Sequence, residues 1–162
     1  MQPVPQYRTV LNWIQPSAAE RFEIYSELGM PQAVLTITRP DYALIESRFG
    51  IYQIQRPTQL PAITVTDLSG STVATIRTNW WGRYSVTFDG SDELRFRSSS
   101  VLRNRWLWRN SNGEVRAVVQ RSRIFFSPEW PIREVLSALL AGLTIYLIVT
   151  KSSLFQRLMV PG

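Results

Sequence analysis

Between Val135 and Thr150 lie sixteen residues without a charge, nine of them Val, Leu or Ile. No polar face exists at helical spacing, because Ser137, Ala141 and Thr144 make only a narrow stripe of small residues. A helix that is apolar all round must be surrounded by something apolar, either a bilayer or a protein interior. At 1.5 Å per residue the stretch spans ~24 Å, short of a ~30 Å hydrocarbon core unless Trp130 and Tyr146 sit at the interfaces and Arg133 and Lys151 reach outward. The pairs Ser137/Ala141 and Ala138/Gly142, each four residues apart, let another backbone approach closely, as in packed membrane helices. They suit equally a helix squeezed inside a barrel. Both readings stay open at this level. The leading expectation is a single membrane span over residues 132–151, with Trp130, Ser137, Ala138, Ala141, Gly142 and Tyr146 as membrane or helix-packing positions.

The chain before this helix reads differently. From Ala33 to Phe126 short runs rich in Val, Ile, Thr, Phe, Tyr and Trp alternate with turn residues at fairly even spacing, the pattern of an antiparallel β-domain. Nine strands are expected: 33–39, 43–47, 50–55, 62–66, 72–78, 84–88, 93–98, 103–109 and 115–126. Readable turns fall at Pro40-Asp41, Asp67–Gly70, Asp89–Asp92 and Asn110–Gly113. The glycines of three similar units, Gly70, Gly90 and Gly113, lie 20 and 23 residues apart, which suits hairpins laid side by side in a meander. Turn chemistry alone repeats in the same way without common ancestry. Ahead of the strands, residues 1–16 read as a Pro-punctuated arm with a short apolar piece at Val10–Ile14. Ser17, with Glu20 three residues later and Gly29 as a stop, predicts a short helix over Ala18–Leu28. The expected architecture is mainly β, a barrel-like or sandwich meander with one short N-terminal helix and one hydrophobic C-terminal helix. Its segments are 1–32 (arm and helix), 33–127 (β-domain) and 128–162 (hydrophobic helix and tail).

Composition narrows the chemistry. With neither Cys nor His among its 162 residues, the chain lacks thiolate nucleophiles, sulfur-ligated metals, Ser-His-Asp catalysis and the commonest general base. No acid pair has supporting residues, so no catalytic residue, metal or cofactor is expected and no small-molecule substrate is inferred. Asp89, Asp92 and Glu93 cluster without the ligand spacing of a calcium loop and read as a plain turn. The opening Met1–Arg8 lacks the basic start and apolar run of a signal peptide, which leads to the expectation of a cytoplasmic β-domain. The positive-inside bias agrees, since Arg116, Arg121, Arg123 and Arg133 precede the helix.

The net charge of +6 fits an anionic partner. Arg95, Arg97, Arg103, Arg105 and Arg109 fall within one short region. At period-two spacing Arg95 and Arg97 share a face, as do Arg103, Arg105 and Arg109, while Leu94, Phe96, Trp106 and Trp108 take the other. Pairing of these strands sets like charges side by side, which costs stability unless an anionic lipid or partner neutralises them. A solvated sheet face would leave the same pattern. Nucleic acid is a poorer fit, because the aromatics lie opposite the arginines and cannot stack bases beside them. The adjacent Trp80 and Trp81 point to opposite sides of an extended strand, unless a bend at Gly82 buries both.

Successive hairpins with Asp- and Asn-Gly turns, carried by Thr64–Gly70 and Trp106–Gly113, are followed by the apolar stretch Leu136–Phe155. This arrangement resembles the tubby-like superfamily, which includes the LURP-one-related and phospholipid-scramblase-like proteins. The resemblance implies a closed antiparallel barrel around a C-terminal apolar helix, and lipid or membrane association without catalysis. This sequence departs from the family in its nine expected strands, against twelve in the family's barrel, and in Thr150-Lys151 at a helix end that often carries an acid. The functional expectation is a non-enzymatic, membrane-associated accessory subunit, its partners membrane lipids and other subunits of a membrane complex. The alternative is a soluble tubby-like barrel that binds anionic phospholipid with the helix inside.

Overall fold

The computed structural model describes residues 9–16, 20–57, 62–78, 83–89, 93–98 and 105–150, and the backbone of its helix continues to Met159. Twelve strands close into an antiparallel barrel: β1 (Val10–Ile14), β2 (Arg21–Ser26), β3 (Pro31–Arg39), β4 (Tyr42–Ser47), β5 (Gly50–Gln55), β6 (Ala62–Asp67), β7 (Thr72–Thr78), β8 (Tyr84–Phe88), β9 (Glu93–Ser98), β10 (Arg105–Asn110), β11 (Val115–Gln120) and β12 (Arg123–Phe126). Each strand pairs with its neighbours in sequence, and β1 closes the ring against β12 through Val10↔Phe125 and Leu11↔Ile124. A single helix, α1 (Glu134–Met159), follows the last strand. The mainly β, barrel-like architecture with a hydrophobic helix is therefore as expected.

Three expectations along the strands are corrected. Residues 21–26 form β2, not the middle of a helix, because Phe22 and Ile24 alternate into the core while Arg21 is exposed. Gly29, at φ +82°, belongs to the β2–β3 turn and stops no helix. The apolar piece Val10–Ile14 is the closing strand of the barrel rather than part of an arm. The single strand expected over 115–126 is two strands, with a turn at Arg121 (φ +49°) and Ser122 that carries no Gly, Pro or Asn to announce it. Together these changes raise the strand number to that of the closed ring. Trp80, Trp81, Asp92 and Arg103 lie outside the described residues.

The membrane span expected over 132–151 is also corrected. Among the described residues no helix is long and apolar enough to cross a membrane. From Ser137 to Leu147 every residue of α1 is buried, in one core with the inward residues of the strands. The interior of the ring supplies the apolar surroundings that a helix without a polar face requires. The helix begins at Glu134, past Pro128 and Pro131, which stop the last strand.

Packing explains where α1 sits. Its backbone lies closest to β2, β3 and β4. There the inward residues include Ala33 and Ala43, and a Cβ built on Gly142 would come within 2.6 Å of Ile45 Cδ1. Gly142, one of the small residues read as a helix-packing motif, thus allows close approach to a strand wall. The opposite wall fills the wider gap with Tyr84, Phe96, Trp106 and Trp108, all buried. Phe96 stacks on both tryptophans, at 4.5 Å from Trp108 and 4.9 Å from Trp106. Trp108 donates its indole N–H to Thr144 Oγ1 at 3.0 Å, and Thr144 in turn donates to the Leu140 carbonyl at 2.7 Å. A buried indole N–H finds its partner on the helix, so this bond keys one face of α1 to β10.

The direction of α1 follows from its ends. It enters near Trp130, which packs on Phe126 at the end of β12. At the far end Tyr146 donates its hydroxyl to the Pro40 carbonyl, in the β3–β4 turn, at 2.6 Å. Because the strands form an unbroken meander, their connections alternate between the two ends of the barrel. The helix therefore runs from the end bearing the β2–β3, β4–β5 and β6–β7 turns to the end bearing the β3–β4, β5–β6 and β11–β12 connections.

Candidate anion-binding face

The strands that carry the aromatic wall inside carry arginines outside. Leu94, Phe96, Trp106 and Trp108 are buried, whereas Arg95, Arg97 and Arg105 are exposed and Arg109 is half-buried. Register decides which of them meet. Arg95 lies directly opposite Arg109, Arg97 opposite Leu107, and Arg105 opposite Gln120. Following the ladder the other way, Arg95 faces Ser85, and Ser85 faces Arg77. A row of Arg77, Ser85, Arg95 and Arg109 therefore crosses four neighbouring strands on the outer surface.

A hollow of about 420 Å³ opens on this surface, its lining including Arg83, Ser85, Arg95, Arg97 and Arg109. Glu93 is the acid at its edge, and its carboxylate accepts from Arg95 Nε at 3.2 Å. Arg109 donates through Nη1 to the Gly113 carbonyl at 3.0 Å, while its Nε is buried with no hydrogen-bond partner among the described residues. The turn that holds Gly113 is pinned by Asn110, whose Oδ1 accepts from the backbone N–H of Asn112 and Glu114 at 3.1 and 2.8 Å. An ordered turn thus holds the Arg109 side chain on a residue whose backbone pairs with that of Arg95, and like charges on directly opposite residues destabilise a sheet. An anion in the hollow would reverse that sign, since guanidinium forks match the geometry of phosphate and carboxylate oxygens.

Charge is also sorted along the barrel axis. Arg21, Arg39, Arg56, Arg77 and Arg83 lie at strand ends or connections on the side where Tyr146 meets Pro40, as do Arg97, Arg105, Arg121 and Arg123. The acids on that side are Glu20, Glu23 and Asp41, and Arg39 Nε lies 3.4 Å from Asp41 Oδ1. Just inside this mouth, burial raises the phenols of Tyr84 and Tyr146 above the ordinary tyrosine range, and the nearby Arg56 cation partly offsets the rise. Glu27, Glu46, Asp67, Asp89, Glu93, Glu114, Glu129 and Glu134 lie toward the other end, where Arg48, Arg116 and Arg133 are the cations at its turns and at the helix entrance.

Of the arginines singled out in sequence, Arg95 and Arg109 are brought together and Arg97 lines the same hollow. Arg105 lies along the strand toward the basic end. Arg77 and Arg83 were missed, because their nearness depends on the register of β7, β8 and β9, which the hairpin between β7 and β8 conceals. Of the packing residues, Ser137, Ala138, Ala141, Gly142 and Tyr146 are buried inside the barrel and Trp130 packs at its entrance.

Fold and face together define a helix-filled closed β-barrel with an arginine-lined outer wall. No family model and no curated protein matches the chain. A protein of Arabidopsis thaliana, solved by X-ray crystallography, is similar at a TM-score of 0.42 and 14% identity, over 90% of this chain and 93% of that one.

Proposed function

We propose that the protein is a non-enzymatic barrel that associates peripherally with anionic phospholipid membranes through its arginine-rich end and flank. The observation that carries this reading is the opposition of Arg95 and Arg109 beside a hollow that Arg83 and Arg97 also line. A charge cluster that opposes folding is understandable if it is neutralised in use, and basic residues near an anionic leaflet contribute about 1 kcal/mol each. Such leaflets face the cytoplasm, in keeping with the cytoplasmic β-domain expected from sequence. The twelve-strand ring and the enclosed helix support the tubby-like resemblance, which is part of the same proposal.

The test is co-sedimentation with vesicles of phosphatidylcholine alone and of phosphatidylcholine mixed with phosphatidylserine. Binding to the mixed vesicles should be strong at low salt and weaken as salt rises. Replacing Arg95, Arg97 and Arg109 together by Gln should lower the affinity by roughly a hundredfold, given ~1 kcal/mol per arginine. Equal binding to both vesicle types would exclude the reading.

A second role, as accessory subunit of a membrane complex, is favoured by the opposite end. There the turns β2–β3, β4–β5 and β6–β7 expose Leu28, Met30, Phe49 and Leu68. Large apolar side chains gathered at one end suit a protein partner held away from the bilayer.

A further inference from the structure

The ladder between β8 and β9 sets a second pair of arginines near the first. Tyr84 lies opposite Phe96, so one residue further along the same antiparallel ladder Arg83 comes beside Arg97. Tyr84 and Phe96 are buried in the core, while Arg83 and Arg97 are exposed, and both line the hollow that Arg95 and Arg109 also line.

The two pairs stand in a fixed relation. Arg95 and Arg97 are two residues apart on β9, ~7 Å along the strand. The pairs straddle neighbouring gaps, β8–β9 for Arg83 with Arg97 and β9–β10 for Arg95 with Arg109, which lie ~5 Å apart across the sheet. Their midpoints are therefore ~8 Å apart. Ser85, opposite Arg95 on β8, is short enough to leave the space between them open. Beyond Arg95 in the other direction, Glu93 closes the hollow with a carboxylate that accepts from Arg95 Nε at 3.2 Å.

We propose that this hollow is a site for a bisphosphate, two phosphates carried on a three-carbon bridge, one between Arg83 and Arg97 and the other between Arg95 and Arg109. At about 420 Å³ its volume falls within the ~300–1,000 Å³ of small-ligand sites. Guanidinium forks match phosphate oxygens, and each pair supplies two of them. Pyrophosphate, joined through a single oxygen, is too short to engage both pairs at once, whereas phosphates at the two ends of a glycerol reach both. A further anionic group in line past Arg95 meets the Glu93 carboxylate and is repelled. The proposal rests on the reading that the arginine flank takes phospholipid phosphates, and it narrows them to two at a set separation. A lipid with two phosphates bridged by glycerol presents that chemistry, and so does a free bisphosphate.

The test uses the full-length protein at low salt in two arms. In solution, calorimetry compares trimethylene bisphosphate with pyrophosphate, which carries similar charge on a shorter bridge. Trimethylene bisphosphate should bind roughly tenfold more tightly, because its second phosphate is delivered to the second pair by the first. Arg97→Gln and Arg109→Gln should each bring the two compounds to parity, while Arg48→Gln, at the opposite pole, should leave their ratio unchanged. Thermal unfolding of each variant checks that a loss of binding is not a loss of fold. On membranes, co-sedimentation compares phosphatidylcholine vesicles containing diphosphatidylglycerol with vesicles matched in total phosphate by phosphatidylglycerol. A preference for diphosphatidylglycerol that the same two substitutions abolish makes the ligand a lipid headgroup. A preference in solution alone keeps the site and makes its ligand a free bisphosphate. Equal affinity for the two soluble compounds, with vesicle binding that follows total charge, overturns the site and leaves the phospholipid reading standing. A preference that survives both substitutions also overturns the site, and absence of binding in every arm overturns both readings.

Discussion

The two ends of the barrel are made by the same strands and could hardly differ more. At one, arginines crowd the strand ends, and the helix reaches the β3–β4 turn through Tyr146. At the other, acids outnumber cations and the turns carry exposed apolar tips, with Leu28 at 92% and Leu68 at 68%, and with Arg48 over the Phe49 ring. An up-and-down meander sends every second connection to the same end. Residues far apart in sequence are thereby collected at one pole: β8 is flanked by Arg83 and Asp89, while β9 runs from Glu93 to Arg97, back toward the first end. Connectivity thus turns a scattered charge pattern into an axial one. The core does not share this polarity, since its asymmetry is lateral, small residues on β3 and β4 against aromatics on β8 to β10.

The comparison can be broken outright by removing what both ends share. Stopping the chain after Pro131 deletes side chains that are each worth ~1.5–3 kcal/mol when buried, more in sum than a typical domain stability of ~5–15 kcal/mol. The truncated barrel should aggregate or bind apolar dyes, and a monomeric, cooperatively unfolding fragment on size-exclusion and denaturant titration would refute the filled-barrel account. A smaller blow falls on one wall. Trp108→Ala should cost about 3–5 kcal/mol in chemical denaturation, through lost packing on Phe96 and loss of the bond that Thr144 Oγ1 accepts.

Smaller again is the effect of pH at the basic mouth. The phenols of Tyr84 and Tyr146 are raised by burial, so on alkalinisation the unfolded chain gives up its protons first. Stability from these groups is complete below a pH of about 10 and is lost as pH rises through their folded values. Tyr146→Phe should cost about 1 kcal/mol at neutral pH through loss of the bond to Pro40, and it should flatten the alkaline decline measured by thermal unfolding. The gentlest test separates the poles. Leu28→Ser with Leu68→Ser should leave vesicle binding unchanged. Arg109→Gln should weaken that binding while changing stability by no more than about 1 kcal/mol, because relief of a like-charge neighbour is set against loss of the bond to the Gly113 carbonyl.

Much of the barrel was legible in the sequence because half-buried strands advertise themselves by alternation. The opposite faces of Leu94, Arg95, Phe96 and Arg97 are a period-two pattern that nothing else in the chain contradicts. β2 was misread because Ser17, Glu20 and Gly29 supply the local vocabulary of a helix, and only the inward packing of Phe22 and Ile24 decides for a strand. The turn at Arg121 was invisible because tertiary pairing of β11 with β12 imposes its positive φ on a residue that gives no local sign of it. The environment of α1 was undecidable in principle, because a lipid tail and an isoleucine side chain make the same demand on a helix. The candidate site was half legible. Facing could be read from period two, but the meeting of Arg95 with Arg109 and the approach of Arg83 needed registers that turn lengths hide.

The seam between β1 and β12 has a consequence in time. Val10 pairs with Phe125, so the ring cannot close until nearly all of its strands exist, and contacts at such separation make for slow folding, on the scale of milliseconds to seconds. The helix comes later still, and a ring that had already closed would have to be threaded. Assembly around α1 is the simpler route, with an open, curling sheet waiting for its centre. Until then the inward row from Phe22 to Phe126 stands unprotected while synthesis proceeds at about 5–20 residues per second, a window of seconds in which its apolar side chains and unpaired strand edges are open to aggregation.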